Sequence, residues 1–368
     1  MRGKQLMFIG LMTTLATLLV LPMGPGAGNA GQVEPSYRVL APISRGNLTI
    51  FPVVADRTHD TRNFLTLDEG LRAGEVVVTE AGSVRPLIRR RQDYIPSGGA
   101  EVNRLVLVNN SDRPLILLAG EIVTGGKQDR VVGKDRIIPP KSDPIDLAVF
   151  CVEPGRWVAS QSEFGSFHSQ MAQPSVRRSA MADQNQQEVW AEVGAAKESM
   201  AMRATPAAAP ALAGTSSYAR VMDNDEVKHQ VDAVAAPIEQ SYFGLMRELR
   251  ERNAVGVVVA VDGRLIWADL FASTALLEKY WPKLIRSYAA EALTHRPKGE
   301  AFGVRGSRPD IKEAQAFLED FGARHEEQET EPGVYRRTEL KGNDFTAFAL
   351  TSLLPGTGFD VHIAKMVE

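Results

Sequence analysis

Cysteine is almost missing from this chain: Cys151 is the only one in 368 residues. One thiol cannot form an intramolecular disulfide, so the fold must be held by burial and polar pairing. Histidine is nearly as sparse. His59, His168, His229, His295, His325 and His362 are scattered, and no two stand at the short spacings from which metal ligands converge. No G-x-S-x-G elbow occurs, which removes support for a serine hydrolase of that kind. Positive charge is not in excess either: the formal net charge is −3, unlike the basic balance of a general nucleic-acid binder. No tandem repeat is found, and no cofactor or metal is implied.

Long apolar runs are absent beyond residue 30, but one stands before it. Arg2 and Lys4 precede Leu6–Met23, apolar apart from Gly and Thr, and Gly28 and Ala30 suit the −3 and −1 positions of a signal-peptidase site. A signal peptide over 1–30, cleaved after Ala30, is expected. The alternative is an uncleaved anchor, since the run is near the lower length limit for spanning a bilayer. Cleavage would leave the protein periplasmic or secreted, with no stable membrane insertion.

Short β-branched runs broken by turn residues fill the region after Tyr37. LTIFPVV (48–54), GEVVVTEAG (74–82), Leu105–Val108, Leu115–Leu118 and Ile145–Val152 read as strands, and TLDEGLRAG (66–74) as one or two helical turns. Cys151, within Ala148–Val152, reads as a buried structural thiol. The segment 165–236 is rich in Ala, Ser, Gln and Met. Gln184–Met200 has helical spacing at Val189, Val193 and Ala196, whereas ATPAAAPALAGTSS (204–217) reads as an exposed loop without regular structure. Further on, Ile238–Arg252 is amphipathic, and VGVVVAVDGRLIWADLF is a hairpin around Asp262-Gly263, a type I′ pair. A helix interrupted or kinked at Pro282, a capped helix over 307–322 and strands at 333–340, 344–352 and 359–367 complete the chain. The expected fold class is α+β. A β-rich, sandwich-like N-terminal domain (37–160) is followed by a partly helical, partly disordered segment (165–236) and an α/β domain with antiparallel hairpins (237–368).

GEIVTGGKQDRVVGKDR (120–136) carries the most chemistry. It resembles a phosphate loop, yet Gly120 to Gly126 spans one residue too many, and Gln128 stands where the metal-binding hydroxyl belongs. Four cations (Lys127, Arg130, Lys134, Arg136) face three carboxylates (Glu121, Asp129, Asp135). Gly125-Gly126 lets consecutive N–H groups converge as an anion nest, to which Lys127 adds a point charge and Arg130 a bidentate fork. A solvated or internally paired β-turn accounts for the same residues.

These residues also carry a family resemblance. Gly120-Glu121, then Gly125, Lys127, Gln128 and Arg130, then Cys151-Val152-Glu153 and Gly155-Arg156-Trp157, resemble the ARPP-1 domain family. The name stands for a domain associated with ADP-ribosylglycohydrolase and rhodanese-phosphatase proteins. VGVVVAVDGRLIWADLF and YWPKLIRSYAAEAL look like its C-terminal part, so the resemblance covers about 37–165 and 185–295. One departure is Asp129, where the pattern has Asn. The family's name implies, by association only, a ligand derived from ADP-ribose or a nucleotide.

Two functions follow as expectations. In the first, an anionic small molecule binds to Lys127 and Arg130, with Gly125, Gly126, Gln128 and Arg156 in support. Trp157 stacks on a ring, Glu121 or Glu153 is the candidate acid or base, and Asp269 reaches in from the later hairpin. In the second, the module is non-enzymatic, and the same polar residues form internal ion pairs that serve structure or protein interaction.

Overall fold

The sequence reading of LTIFPVV as a strand holds, but its partners lie at the other end of the chain. The computed structural model describes residues 35–81, 103–155, 163–165, 170–248, 253–295 and 308–368. The expected leader over 1–30 and the candidates Arg156 and Trp157 lie outside these residues. β1 (Tyr37–Val39) and β2 (Ile43–Arg45) both pair antiparallel with one edge of β3 (Leu48–Ala55). β3 is buried along its whole length, so its sequence shows no apolar–polar alternation.

Next comes a compact set of short strands. β4 (Leu65–Thr66) runs into α1 (Leu67–Ala73), which starts at a capping box between Thr66 and Glu69 and stops at Gly74 in the left-handed conformation. The strands that follow are β5 (Val76–Glu80), β6 (Arg104–Asn109), β7 (Leu115–Leu117), β8 (Ile122–Gly125), β9 (Arg130–Val132), β10 (Arg136–Ile138), β11 (Ile145–Cys151) and β12 (Glu163–Gly165). Six of them close a barrel in the order β11-β6-β5-β12-β8-β9, and β10-β7-β4 form a small separate sheet. The expected sandwich-like packing is therefore replaced by closure, which removes open strand edges. Val76, Val78, Leu105, Leu107, Val123, Val149 and Phe164 belong to the barrel's buried cluster.

The middle segment is helical: α2 (Pro174–Met181), α3 (Gln186–Arg203), α4 (Ala209–Ala213), α5 (Tyr218–Asp223) and α6 (Asp225–Glu248). Val189, Val193 and Ala196 are buried, as their spacing predicts. The expectation of a structureless loop over 204–217 is corrected by α4. Its Pro210 falls in the first helical turn, where a missing N–H costs nothing, and Leu212 is only 1 % exposed.

β13 (Ala254–Val261) and β14 (Arg264–Phe271) form the expected hairpin, with Asp262 and Gly263 at φ 50° and 77°, as a type I′ turn requires. α7 (Thr274–Thr294) continues through Pro282, and α8 (Ile311–Glu319) opens with an Asp310–Glu313 capping box. β15 (His325–Glu331), β16 (Tyr335–Lys341), β17 (Phe345–Ser352) and β18 (Asp360–Val367) complete a large antiparallel sheet. Its order is β1-β3-β13-β14-β18-β17-β16-β15, with β2 beside β3. The first strands after residue 35 thus share a sheet with the last, and Pro35–Glu368 forms one compact unit. One face packs under α6 and α7, where Tyr242 stacks on Trp281 at 4.2 Å. The other meets Ala314 and Leu318 of α8. Burial on both faces explains the valine run of β13, each fully buried Val contributing roughly 1.5–3 kcal/mol. Among the described residues no helix is long and apolar enough to cross a membrane.

Candidate functional site

The Gly120-Glu121 pair closes a tight turn between β7 and β8. Gly120 sits at φ 95°, and a Cβ there would lie 2.5 Å from Cγ of Arg177, so both backbone and space demand glycine. Glu121 accepts the Leu118 N–H at Oε2 (2.7 Å) and the Lys283 ammonium at Oε1 (2.5 Å). Lys283, on α7, also reaches Asp68 at 2.7 Å and lies 4.6 Å from the Tyr280 ring centroid. Two carboxylates thus share one buried ammonium. Burial raises the pKa of Glu121, with Lys283 opposing and Asp68 adding to the rise. Burial alone would lower the pKa of Lys283, but Glu121 and Asp68 outweigh it and raise the value. The two directions agree: the lysine keeps its proton, and Glu121 is drawn towards its neutral form.

A second chain of charge begins one residue away. The Ala119 N–H donates to Asp135 Oδ1 (2.6 Å), and Asp135 Oδ2 meets His362 Nδ1 (2.6 Å). His362 Nε2 meets Asp269 Oδ1 at 3.1 Å. Asp269 receives both Nη groups of Arg177 (2.9 and 3.0 Å) and a short hydrogen bond from the Tyr288 hydroxyl. Local geometry explains the convergence. His362 pairs in register with Phe271, two residues from Asp269 on β14, so the two side chains are diagonal neighbours on one sheet face. α2 brings Arg177, α7 brings Tyr288, and the turn after β9 brings Asp135. Arg177, Asp269 and His362 are each 0 % exposed. Burial alone would lower the pKa of His362, but Asp135 and Asp269 raise it to about 9. Burial would raise that of Asp269, but Arg177 and then His362 hold it well below the usual carboxylate range.

The glycine turn of 125–130 lies in different surroundings. Gly125 and Gly126 have φ of 130° and 47°, as an anion nest requires. The groups facing these amides belong to the protein itself. Gly125 N–H donates to Asp129 Oδ1 (3.2 Å), and Lys127 N–H to Glu80 Oε1 (2.8 Å). Asp129 Oδ2 accepts the Ser217 hydroxyl at 2.6 Å, so both of its oxygens are used. The single oxygen of an asparagine could not do this, which gives a physical reason for the departure from the family pattern. Glu153 Oε2 accepts the Asp129 N–H (3.1 Å), its backbone carbonyl takes the Gln128 amide (3.1 Å), and Arg130 Nη1 reaches the Asp129 carbonyl (3.4 Å). Gln128, Arg130 and Glu153 are buried, and Lys127 is half-buried. The nearby Cys151 thiol is buried, and burial raises its pKa, the reverse of what activates a nucleophile.

The structure therefore sorts the described candidates into two clusters. Glu121 and Asp269 lie in the charged chain around the 118–121 turn, while Gly125, Gly126, Lys127, Gln128, Arg130 and Glu153 form the closed glycine turn. Sequence reasoning missed Asp135, Arg177, Lys283, Tyr288 and His362. A signal existed for one group: Lys283, Ser287, Glu291 and Thr294 recur at helical spacing, an unexpected polar stripe on a buried helix. Ser287 donates to the Ala172 carbonyl (2.7 Å), and Glu291 accepts from Ser175 N (3.0 Å), so the stripe binds the segment entering α2. Chemically, the chain is saturated. Both imidazole nitrogens of His362 face carboxylates, which leaves neither to take a proton from a substrate. Two surface clefts are formed elsewhere: one is bounded by 58–62 and the start of α7, the other by α2, α3, the end of α7 and β14. No group of three or more histidine, cysteine or acidic side chains among the described residues is placed to hold a metal ion.

Fold and clusters together define an α+β protein with antiparallel sheets, a six-stranded barrel and a charged interior gathered on its glycine turns. The family model described as ARG and Rhodanese-Phosphatase-superfamily-associated Protein domain matches residues 36–365, and the chain belongs to this ARPP-1 family. The match extends past the segments where motifs were recognised and takes in β15–β18, including His362. No curated protein and no solved structure matches the chain.

Proposed function

We propose that this protein is a non-enzymatic extracytoplasmic module whose signature polar residues hold its parts together from within. The observation that supports this reading is the Asp135–His362–Asp269–Arg177 chain. It is buried and mutually paired, and it ties the turn after β9 to β18, β14 and α2. In this reading the 37–160 and 237–368 segments act as two parts joined through one ionic network, and the leader-like residues 1–30 direct the module out of the cytoplasm. The glycine turn works as an anion nest whose anions are Glu80 and Asp129. Buried ion pairs of this kind add little net stability over an apolar core but enforce one arrangement of the parts.

Thermal-shift screening of ADP-ribose, NAD, nucleotides and phosphosugars tests the reading against the anionic-ligand alternative. No stabilisation is expected from any of them. Stabilisation by one compound that disappears in Lys127→Ala, a change at a half-buried side chain, would replace this reading with an anion site at the glycine turn.

A further inference from the structure

The cleft bounded by α2, α3, the end of α7 and β14 has a volume of about 850 Å³. Its charge is lopsided. Five carboxylates line it, among them Glu188 and Glu192 one helical turn apart on α3, against Arg178 and Arg264. Its apolar side is supplied by β14, where the pairing shifts opposite Val259 and Ala260 and leaves Ile266 as an extra residue beside Trp267. Trp267 is 1 % exposed, and its indole Nε1–H, although buried, has no hydrogen-bond acceptor. The ring is held from within by the Arg177 guanidinium, 4.4 Å from its centroid. A buried donor left unmade costs roughly 1–3 kcal/mol, and such a group calls for an explanation.

We propose that this cleft binds a small organic cation carrying a carbonyl acceptor near its ammonium, as an amino-acid amide or a peptide N-terminus does. The carboxylates attract the ammonium, the carbonyl accepts the Trp267 indole N–H, and Leu265 and Ile266 cover the carbon skeleton. Anionic compounds are repelled by the same rim. The site is separate from the ionic network and from the glycine turn, so it stands or falls independently of the structural role proposed for them.

Isothermal titration calorimetry of the whole protein with lysine amide, putrescine and succinate tests it. Lysine amide is expected to bind saturably, putrescine more weakly because it has no acceptor, and succinate not at all. The double variant Glu188→Gln/Glu192→Gln, at the mouth of the cleft, should weaken lysine amide about tenfold, the equivalent of roughly 1.4 kcal/mol. Trp267→Phe, checked for folding by circular dichroism, should bring lysine amide down to the level of putrescine. The proposal is overturned if lysine amide gives no saturable heat up to about 10 mM, a limit near 3 kcal/mol of binding. Equal binding of succinate, or affinity unchanged in the double variant, overturns it as well.

Discussion

Asp269→Asn is the sharpest probe of the buried network. Wild type places two carboxylates, Asp135 and Asp269, against two cations, Arg177 and His362, so the group is close to neutral when all four are ionised. The amide keeps the size of the side chain but removes one negative charge. It also faces donors on both sides with a single oxygen, where the carboxylate accepted from Arg177, Tyr288 and His362. Arg177 cannot shed its proton, so its charge is left buried without a counter-ion. Breaking a buried pair in this way costs about 3–5 kcal/mol. His362 can escape part of the penalty, because losing one of its two carboxylates lets its pKa fall and its proton leave. The destabilisation should therefore be larger at pH 6, where both cations persist, than at pH 8. Urea unfolding followed by circular dichroism at the two pH values reads this directly. Adding Arg177→Met removes the stranded cation, so the double variant should recover most of the loss, with a coupling energy of about 2 kcal/mol or more in the cycle. A single variant within about 1 kcal/mol of wild type, the range of an exposed pair, would refute the reasoning. So would a double variant no better than the single.

Wild-type stability itself should fall as pH rises from about 6.5, the ordinary histidine value, towards 9, the folded value of His362, because the unfolded chain releases that proton first. Lys365, whose pKa burial lowers to about 8, has the opposite slope above that value, so the window from about 6.5 to 8 isolates the histidine; His362→Gln should flatten it in urea titrations. Lys283→Met should cost about 3–5 kcal/mol, since it strands Asp68 and Glu121, whereas Glu121→Gln should cost clearly less because that carboxyl is already drawn towards its neutral form. Equal losses in the two variants by thermal unfolding would contradict the shared-ammonium geometry. Gly126→Ala combines φ 47° with a Cβ placed 2.2 Å from the Phe164 ring, and should lose more than the roughly 1–3 kcal/mol of backbone strain alone. Gly46→Ala, at φ 62° in open space, is the control, and chemical denaturation of the pair separates clash from strain.

What the sequence made legible is what local chemistry dictates. The Asp262-Gly263 hairpin, the Thr66 and Asp310 capping boxes and the Val189–Val193–Ala196 face each depend on residues within a turn or two of one another, and each appears where expected. Barrel closure and the β3–β13 pairing do not, because nothing in LTIFPVV names a partner some two hundred residues away. The same divide runs through the site. Glu121, Gln128, Arg130 and Glu153 were visible as charged or amide groups among glycines and apolar residues, a pattern shared by an open anion site and a closed internal one. What separates the two is the identity of the partners. Those partners are Glu80 for the Lys127 amide, Ser217 for Asp129, Lys283 for Glu121, and Arg177 with His362 for Asp269. Each is distant in sequence, and most sit in helices or strands whose pattern is otherwise apolar. A lysine at 283 or a histidine at 362 inside such a run has a large desolvation cost unless something opposite repays it. A buried cation in an apolar run and a carboxylate on a glycine turn are thus two halves of one signal, and the family pattern displays only the second half.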